Sequence, residues 1–454
     1  MKCVTAVLVV CSQLVLCVGE CGAERHAEAE VLLDFETPGL SKTWNAKGQI
    51  KAARAPIPSP NGGKLVNGPT GAGLELSTGG GALIHTKAGA LNVPWEEIEV
   101  ISFWVYRGQD EAVRRGSSTI ELQLHEKDGG SRYWRKAVCD QRGGWKKFEV
   151  PLRWMAWGGN AVPDWKRINR LAFWFRDPAE VVIDHVTVRR GGEGSARLTP
   201  RVIAEAAFGA DAEVNITKNN RLALVSDVEG LSAEGFLDHA QAVADDVLKT
   251  FPWLSPPPLP TPFVLFAKEE AYRTFPGRFA ARQLRVAPRV ESDGYTFQGI
   301  ATTWIDQRRE PLRPVFTQEF VHAMLARTVR IPNSGEWLHE GIGNYFQLKH
   351  YPQGDFADTV LRGVRDPNRR LTLPTLCSGN KIPTRYYWQA VTVVELLMQD
   401  ETYRPRLPEV VDWFRENGAT NLDTPLKQIL KTDWGAFEKR WLDHCHRAYG
   451  DNEA

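Results

Sequence analysis

Four polar side chains in a short stretch of the chain have residue types that could support metal-dependent hydrolysis. Gln318 and His322 are four residues apart, so on a helix they share one face, and Glu319 lies next to Gln318. Glu340 follows on a second predicted helix. A hydrolytic zinc site needs imidazole and carboxylate ligands, an open position for water, and a carboxylate base beside that water. The set therefore predicts a zinc-type site, with Glu319 as the base and the other three residues as metal ligands.

Gln318 is the weak member of this set. Its amide oxygen is a neutral ligand, whereas imidazole is a common zinc ligand. We therefore expect zinc to be held weakly or not at all, and hydrolysis to be slow or absent because it needs a metal-polarised water. The alternative is that His322 and Glu340 form an ordinary buried polar pair between two helices.

Two helices must position these residues. The run 314–327 supplies apolar bulk for packing, the run 332–335 breaks the helix, and a second helix then carries Glu340. Alternating strand and helix patterns lead up to this pair, and the chain beyond it is mainly helical. The predicted elements are strands at 221–226 and 261–267, helices at 232–251 and 268–275, one or two strands within 294–306, and helices at 386–398, 408–417, 426–431 and 434–449.

The run Gln318-Glu319-Phe320-Val321-His322, followed by Trp337-Leu338-His339-Glu340-Gly341, resembles the gluzincin metallopeptidases, the thermolysin-like class. It is most similar to their peptidase-MA-like branch. The resemblance covers residues 221–450 and implies an α+β domain with a mainly helical C-terminal half. It also implies a tyrosine near the metal at the start of a following helix. Tyr387 is the candidate, with Tyr386 as the alternative, for hydrogen bonding to the developing oxyanion.

Residues 30–192 contain short alternating apolar runs separated by Gly-rich turns. In the run 118–125, for example, Ile120, Leu122 and Leu124 alternate with polar neighbours. Regularly spaced strands of this kind predict a β-sandwich. The run 189–200 is rich in Gly and charge, as linkers often are. We therefore expect a multidomain chain, in which a linker at 193–220 joins an all-β jelly-roll sandwich to the gluzincin-like domain.

The segments 164–175 and 182–188 resemble the tail of jelly-roll carbohydrate-binding modules, and the opening Leu33-Asp34-Phe35-Glu36 fits the same family. In such modules the first and last strands often frame a structural calcium ion. The resemblance implies Asp34, Glu36 and Asp184 as its oxygen ligands. Strand-end polar residues that bind no metal are the alternative.

A glycan is the ligand that the carbohydrate-binding-module resemblance implies. Trp134, Trp154 and Trp157 are the candidate exposed platforms for stacking on sugar rings. Core packing or a contact between domains explains these tryptophans equally well. The sequence therefore does not determine the ligand of this domain.

Composition limits the function further. The chain has 454 residues and a net charge of +1, which argues against a general nucleic-acid binder. Residues 1–23 have the basic start, apolar run and small residues of an export signal, with a lipid anchor as the less favoured alternative. No apolar stretch beyond residue 23 is long enough to predict a membrane span. Cys377 and Cys445 are the one cysteine pair within a predicted domain, and whether they form a disulfide stays open.

These features favour an exported metallopeptidase-like protein that acts on a peptide or protein and is targeted to a surface or glycan by its first domain. The alternative is a non-catalytic relative that binds or scaffolds at such a surface. A carbohydrate-active enzyme ranks last, because no pair of acidic residues suggests a glycosidase site.

Overall fold

The structure is a computed structural model. It describes residues 29–33, 35, 44–48, 50–56, 72–108, 118–127, 132–139, 143–157, 162–287, 289–306, 312–331 and 333–450. The predicted signal segment 1–23 and two predicted calcium ligands, Asp34 and Glu36, lie outside these residues. Within them, no helix combines the length and apolar character needed to cross a membrane.

The N-terminal domain consists of two antiparallel sheets. Its strands are β1 (Glu30–Leu33), β2 (Trp44–Lys47), β3 (Ile50–Pro56), β4 (Ala72–Gly79), β5 (Ala82–Thr86), β6 (Ile98–Arg107), β7 (Ser118–Glu126), β8 (Arg132–Cys139), β9 (Gly144–Pro151), β10 (Ala156–Trp157), β11 (Ile168–Phe175) and β12 (Pro178–Arg190). The first sheet has the order β3-β4-β12-β6-β9, with β1 also paired to β12, and the second sheet has the order β10-β8-β7-β11-β5-β2. The predicted β-sandwich is confirmed.

The core of the sandwich lies between the two sheets, because one face of each strand is apolar. Ile120, Leu122 and Leu124 of β7 are fully buried there. Phe103 of the first sheet packs edge-on against Phe173 of the second, with ring centroids 5.2 Å apart. Since side chains alternate along a strand, the polar residues of β7 lie on the outer face of the second sheet.

The segment predicted as a linker is instead structured. It contains α1 (Pro200–Phe208) and β13 (Asn215–Lys218), and β13 pairs with the next strand of the second domain. Thr199 caps α1 by accepting a hydrogen bond from the Val202 N–H at 3.3 Å. The second domain therefore begins near residue 200, before the predicted boundary.

The second domain has a five-stranded mixed sheet followed by a helical region. The remaining strands are β14 (Leu222–Ser226), β15 (Thr261–Phe266), β16 (Gly294–Phe297) and β17 (Ile300–Trp304). The helices are α2 (Glu234–Thr250), α3 (Glu269–Arg282), α4 (Pro314–Thr328), α5 (Trp337–His350), α6 (Asp355–Arg365), α7 (Leu373–Leu376), α8 (Tyr387–Gln399), α9 (Leu407–Asn417), α10 (Asp423–Gln428) and α11 (Trp434–Tyr449). The sheet order is β13-β14-β15-β17-β16, and β14, β15 and β17 are parallel. The predicted mainly helical C-terminal half is confirmed.

Local signals define the ends of the two helices that carry the zinc-type motif. Pro314 lies in the first turn of α4, where its missing N–H costs no hydrogen bond. Beyond the end of α4, Arg330 has a φ of 60° and its N–H donates to the Leu325 carbonyl at 3.1 Å. Glu336 caps α5 by accepting hydrogen bonds from the N–H groups of Leu338 and His339, at 2.9 and 3.2 Å.

The two domains are in direct contact. The side-chain amide of Gln298 donates to the Trp157 carbonyl at 2.9 Å and accepts from the Trp157 N–H at 3.2 Å. Gln283 donates to the Met155 carbonyl at 3.2 Å, and Trp154 packs edge-on against Phe279 with ring centroids 5.4 Å apart. The segment of the sandwich around β10 therefore forms part of the contact with the second domain.

A buried carboxylate strengthens this contact. Glu126, at the end of β7, accepts hydrogen bonds from the Tyr133 hydroxyl, from the Arg330 guanidinium and, at 3.0 Å, from the Asp164 N–H. The Val162 N–H donates to a carbonyl in the last turn of α4, that of Ala326, at 2.9 Å. The C-terminal end of α4 is therefore anchored on the sandwich.

Cys377 and Cys445 do not pair. Both thiols are free and buried. Burial raises the pKa of Cys445 to about 12 and that of Cys377 well above its ordinary value. The second domain is held together by its core and not by a disulfide between these residues.

Candidate functional sites

The fold brings the predicted zinc-type residues together between α4 and α5. The amide nitrogen of Gln318 donates to the Glu340 carboxylate at 3.2 Å. Tyr387, at the start of α8, lies near the same carboxylate, because Glu340 and Glu319 both contribute to raising the pKa of its hydroxyl. Tyr386 instead lies beneath the Arg385 guanidinium, 4.9 Å from its ring centroid. Of the two tyrosines, Tyr387 is therefore the one beside the predicted site.

His322 is buried, and both of its ring nitrogens face protein oxygens. Its Nε2 lies 3.1 Å from the His339 carbonyl, and because a carbonyl can only accept, Nε2 is the donor. Its Nδ1 lies 3.7 Å from the Glu319 carboxylate. The ring is thus directed toward the backbone of α5 and toward the carboxylate on its own helix.

Glu319, the predicted base, is tied to the edge strand β16. The Thr296 hydroxyl lies 2.8 Å from the Glu319 carboxylate, to which it donates, and 3.1 Å from the Glu319 carbonyl. The carboxylate therefore contacts both β16 and His322.

Burial and charge together set the protonation of the cluster. Burial alone would lower the pKa of His322, but the carboxylates of Glu340 and Glu319 outweigh it and raise that pKa to about 9. Burial raises the pKa of Glu340 above its ordinary value, and that of Tyr387 as well, where the two carboxylates add to the effect. The two carboxylates therefore favour the protonated form of the His322 ring.

This donor set does not fit a catalytic zinc ion. Such sites use three protein ligands and neutral imidazole. Here the His322 ring faces other partners with both nitrogens, while Gln318 and Glu340 are bonded to each other. Across the described residues, no group of three or more His, Cys, Asp and Glu side chains is placed to hold a metal ion.

A polar cleft of about 590 Å³ opens beside Gln318. Its walls come from the start of α4, the end of α5 and the start of α6. The polar residues that line it include Asp293, Arg313, Gln347 and Asp355. A ligand of the second domain has room here without entering the helix interface.

Stacking on a sugar requires an exposed aromatic ring, and two of the predicted sugar platforms are buried. Trp154 is 9% exposed and Trp157 is 5% exposed, because the second domain and the sandwich core cover them. The side chain of Trp134 lies outside the described part of the chain, although its backbone pairs with Gln123 in the second sheet. The expectation of exposed platforms at Trp154 and Trp157 was therefore wrong.

Of the three predicted calcium ligands, Asp184 is the one that the structure describes. It lies on β12, paired with Trp104 of β6, and is buried. Calcium binding at this position stays a prediction from the sequence.

The outer face of the second sheet contains a polar group that the sequence analysis did not single out. Along β7, the amide nitrogen of Gln123 donates to the Glu121 carboxylate at 3.1 Å, and His125 Nε2 lies 3.0 Å from the amide oxygen of Gln123. Across the sheet, Gln123 pairs with Ala172, and Ala172 pairs with His85. These residues come from three strands that are distant in sequence.

The residues of this face differ in exposure. Gln123 and Ala172 are 1% and 0% exposed, although both lie on the outer side, while His85, His125 and Trp174 are half-buried. The Nδ1 of His85 donates to the Thr86 carbonyl at 2.8 Å, which leaves Nε2 as an acceptor. The sequence of β7 indicates this polar group, because Glu121, Gln123 and His125 alternate with the apolar residues of the strand.

Comparisons with known proteins give likenesses to carbohydrate-binding modules. A family 11 carbohydrate-binding module from Clostridium thermocellum, solved in complex with a β-1,3-1,4-mixed-linked tetrasaccharide, is 19% identical, covers 37% of this chain and 99% of its own, and gives a TM-score of 0.27. The tandem family 22 modules of Paenibacillus barcinonensis Xyn10C are 18% identical, cover 38% of this chain and 52% of their own, and give a TM-score of 0.25. No protein-family model and no curated protein matches the chain.

Proposed function

We propose that this chain is an exported carbohydrate-binding protein. Its sandwich binds a polysaccharide on the outer face of the second sheet, and its second domain is a non-catalytic relative of the gluzincin peptidases that binds or scaffolds a peptide or protein. The observation that carries the proposal is the row of polar and aromatic side chains that β5, β7 and β11 place on this face.

The chemistry of this face suits a sugar. Sugar hydroxyls both donate and accept hydrogen bonds, and the face carries the half-buried imidazoles of His85 and His125 beside the buried carboxylate of Glu121. Sugar rings also have apolar faces, and Trp174 lies opposite Glu121 across the sheet, where a half-buried indole can stack. Small-molecule sites commonly combine a few fixed polar groups with aromatic side chains.

The sugar site can be tested by affinity electrophoresis in native gels that contain mixed-linked β-glucan or xylan. We expect the native protein to be retarded, and Gln123→Ala and Trp174→Ala to weaken binding about tenfold or more, because Gln123 holds Glu121 and His125 in place and Trp174 is the half-buried indole on which a sugar ring can stack. Lys147→Ala, on the other sheet, is the matched control and should migrate as the native protein does. Equal retardation of Gln123→Ala and the native protein would contradict the proposal, as would the absence of retardation in both gels.

A zinc peptidase is the second candidate function. The observation in its favour is that Glu319, His322, Glu340 and Tyr387, which the gluzincin resemblance selects, lie together in the fold. The hydrogen bonds of Gln318, His322 and Glu340 to other protein groups argue against a working zinc site and support the non-catalytic alternative.

We expect the native protein, supplied with zinc, to leave unfolded casein uncut. Glu319→Gln is the control, since it removes the only predicted base and should behave as the native protein does. The measurement is the release of peptides over time. Cleavage by the native protein that disappears in Glu319→Gln would show a working peptidase and overturn the non-catalytic role.

A further inference from the structure

The polar residues between α4 and α5 satisfy one another across the helix interface. Gln318 of α4 donates to the Glu340 carboxylate at 3.2 Å, and His322 of α4 donates to the His339 carbonyl at 3.1 Å. Two consecutive turns of α4 are thus each hydrogen-bonded to consecutive residues of α5. In a zinc site, an ion would join the same two helices.

Two glycines of α5 bring the neighbouring helices close enough for these bonds. A Cβ at Gly343 would lie 2.3 Å from His322 Nε2 and 3.2 Å from the Gln318 side chain. A Cβ at Gly341 would lie 2.7 Å from the Ala390 carbonyl of α8. Any larger residue would therefore move α4 or α8 away from α5.

Charge explains why a glutamine suits position 318 in this arrangement. Glu340 is a buried carboxylate, and it needs donors or a cation because an uncompensated buried charge is costly. A zinc ion would supply two positive charges, whereas here the Gln318 amide donates a hydrogen bond to the carboxylate and the His322 ring lies nearby. The neutral amide can donate to Glu340 without an ion between them.

We propose that Gln318, His322, Glu340 and His339 form a metal-free clasp that holds α4 on α5 in the place where a peptidase would use zinc. The clasp deepens the proposed non-catalytic role of the second domain, on which it rests. In this role, the four residues keep the walls of the adjacent cleft in position for a ligand. The clasp makes the stability of the domain independent of zinc.

Thermal unfolding in metal-free buffer tests the clasp. The midpoint of the native protein should be the same after treatment with EDTA and after addition of a slight excess of zinc, because no site selects the ion in the folded state. Gln318→Glu should lower the midpoint by several degrees, since it places a second carboxylate against Glu340. Gln318→Met, which removes the donor without adding charge, should lower it less. Gln347→Glu is the matched control, because it makes the same change in the same cleft away from Glu340.

Each outcome of this experiment decides between the alternatives. A zinc-dependent rise of the native midpoint at one ion per chain would overturn the clasp, as would equal midpoints for Gln318→Glu and Gln347→Glu. If Gln318→Glu does not fold, the comparison of Gln318→Met with the native protein and the zinc measurement still decide. Peptide cleavage by the native protein would overturn the non-catalytic role as well. Failure of the clasp in a protein that cleaves nothing would overturn the clasp alone.

Discussion

Replacing Glu336 with alanine is expected to lower the free energy of unfolding of the second domain by about 3–5 kcal/mol. The Glu336 carboxylate is 1% exposed and accepts hydrogen bonds from two backbone N–H groups at the start of α5, from the Thr420 hydroxyl at 2.7 Å and from His339 Nδ1. Its removal would leave all these donors buried without an acceptor. Denaturant-induced unfolding followed by fluorescence gives the measurement.

Asp433→Ala is the matched control for Glu336→Ala. Asp433 also caps a helix, α11, by accepting from the Ala436 N–H at 2.9 Å, but this hydrogen bond is exposed to solvent. The control should therefore cost only about 1 kcal/mol. Similar losses in the two variants would show that the polar network around Glu336 adds nothing beyond an ordinary helix cap.

The dependence of stability on pH provides a second readout for Glu336. Burial alone would raise the pKa of its carboxyl, but His339 and the hydrogen bonds from Thr420 and the Leu338 N–H lower it. A carboxyl whose pKa is lower in the folded state stabilises the fold above its unfolded pKa, and this contribution is lost as the pH falls through the folded pKa. Acidification should therefore destabilise the native protein more steeply than Glu336→Ala.

Arg330→Met is expected to cost about 2–3 kcal/mol and to weaken the contact between the two domains. The Glu126 carboxylate, which is 4% exposed, would lose its nearest cation but keep its hydrogen bonds from Tyr133 and the Asp164 N–H. Burial opposes the charge of Arg330, yet Glu126 raises the pKa of the Arg330 guanidinium, so this guanidinium stays charged in the folded protein.

Arg167→Met controls for Arg330→Met, because Arg167 approaches the same carboxylate from a more exposed position at 3.9 Å. An exposed ion pair contributes little, so the control should change stability by less than about 1 kcal/mol. Calorimetry of the whole chain should show the native domains unfolding together and the Arg330→Met transition broadened or split. Equal effects of the two variants would contradict a specific role for the buried pair.

Local sequence patterns were sufficient for most elements of this chain. The alternation of Ile120, Leu122 and Leu124 predicted a half-buried strand, because side chains of a strand alternate between two faces. The spacing of Gln318 and His322 predicted one helix face, and both residues do meet Glu340 or its neighbour across the helix interface. The motif therefore located the cluster, although it did not determine the cluster's chemistry.

Only the tertiary structure determined which individual side chains are buried and what they contact. Trp154 is buried because Phe279, more than a hundred residues further along the chain, packs against its ring, and Trp157 is buried in the sandwich core beside Tyr133. The run 189–200, which is rich in Gly and charge, predicted a linker at 193–220, but the final strand of that segment adds to a sheet edge and so becomes part of the second domain. Composition carries no information about such distant partners.

The two candidate sites also show what the sequence indicates and what only the tertiary structure decides. The polar positions of β7 are visible in the sequence, but only the sheet register places Gln123 beside Ala172 and in one row with His85. Likewise, the sequence supplies His322 and Gly343, but only helix packing turns the ring toward the His339 carbonyl and into the space that the glycine leaves. Residue types determined which groups were available to this protein, and long-range packing decided which of them face each other, because those contacts depend on strand register and helix approach.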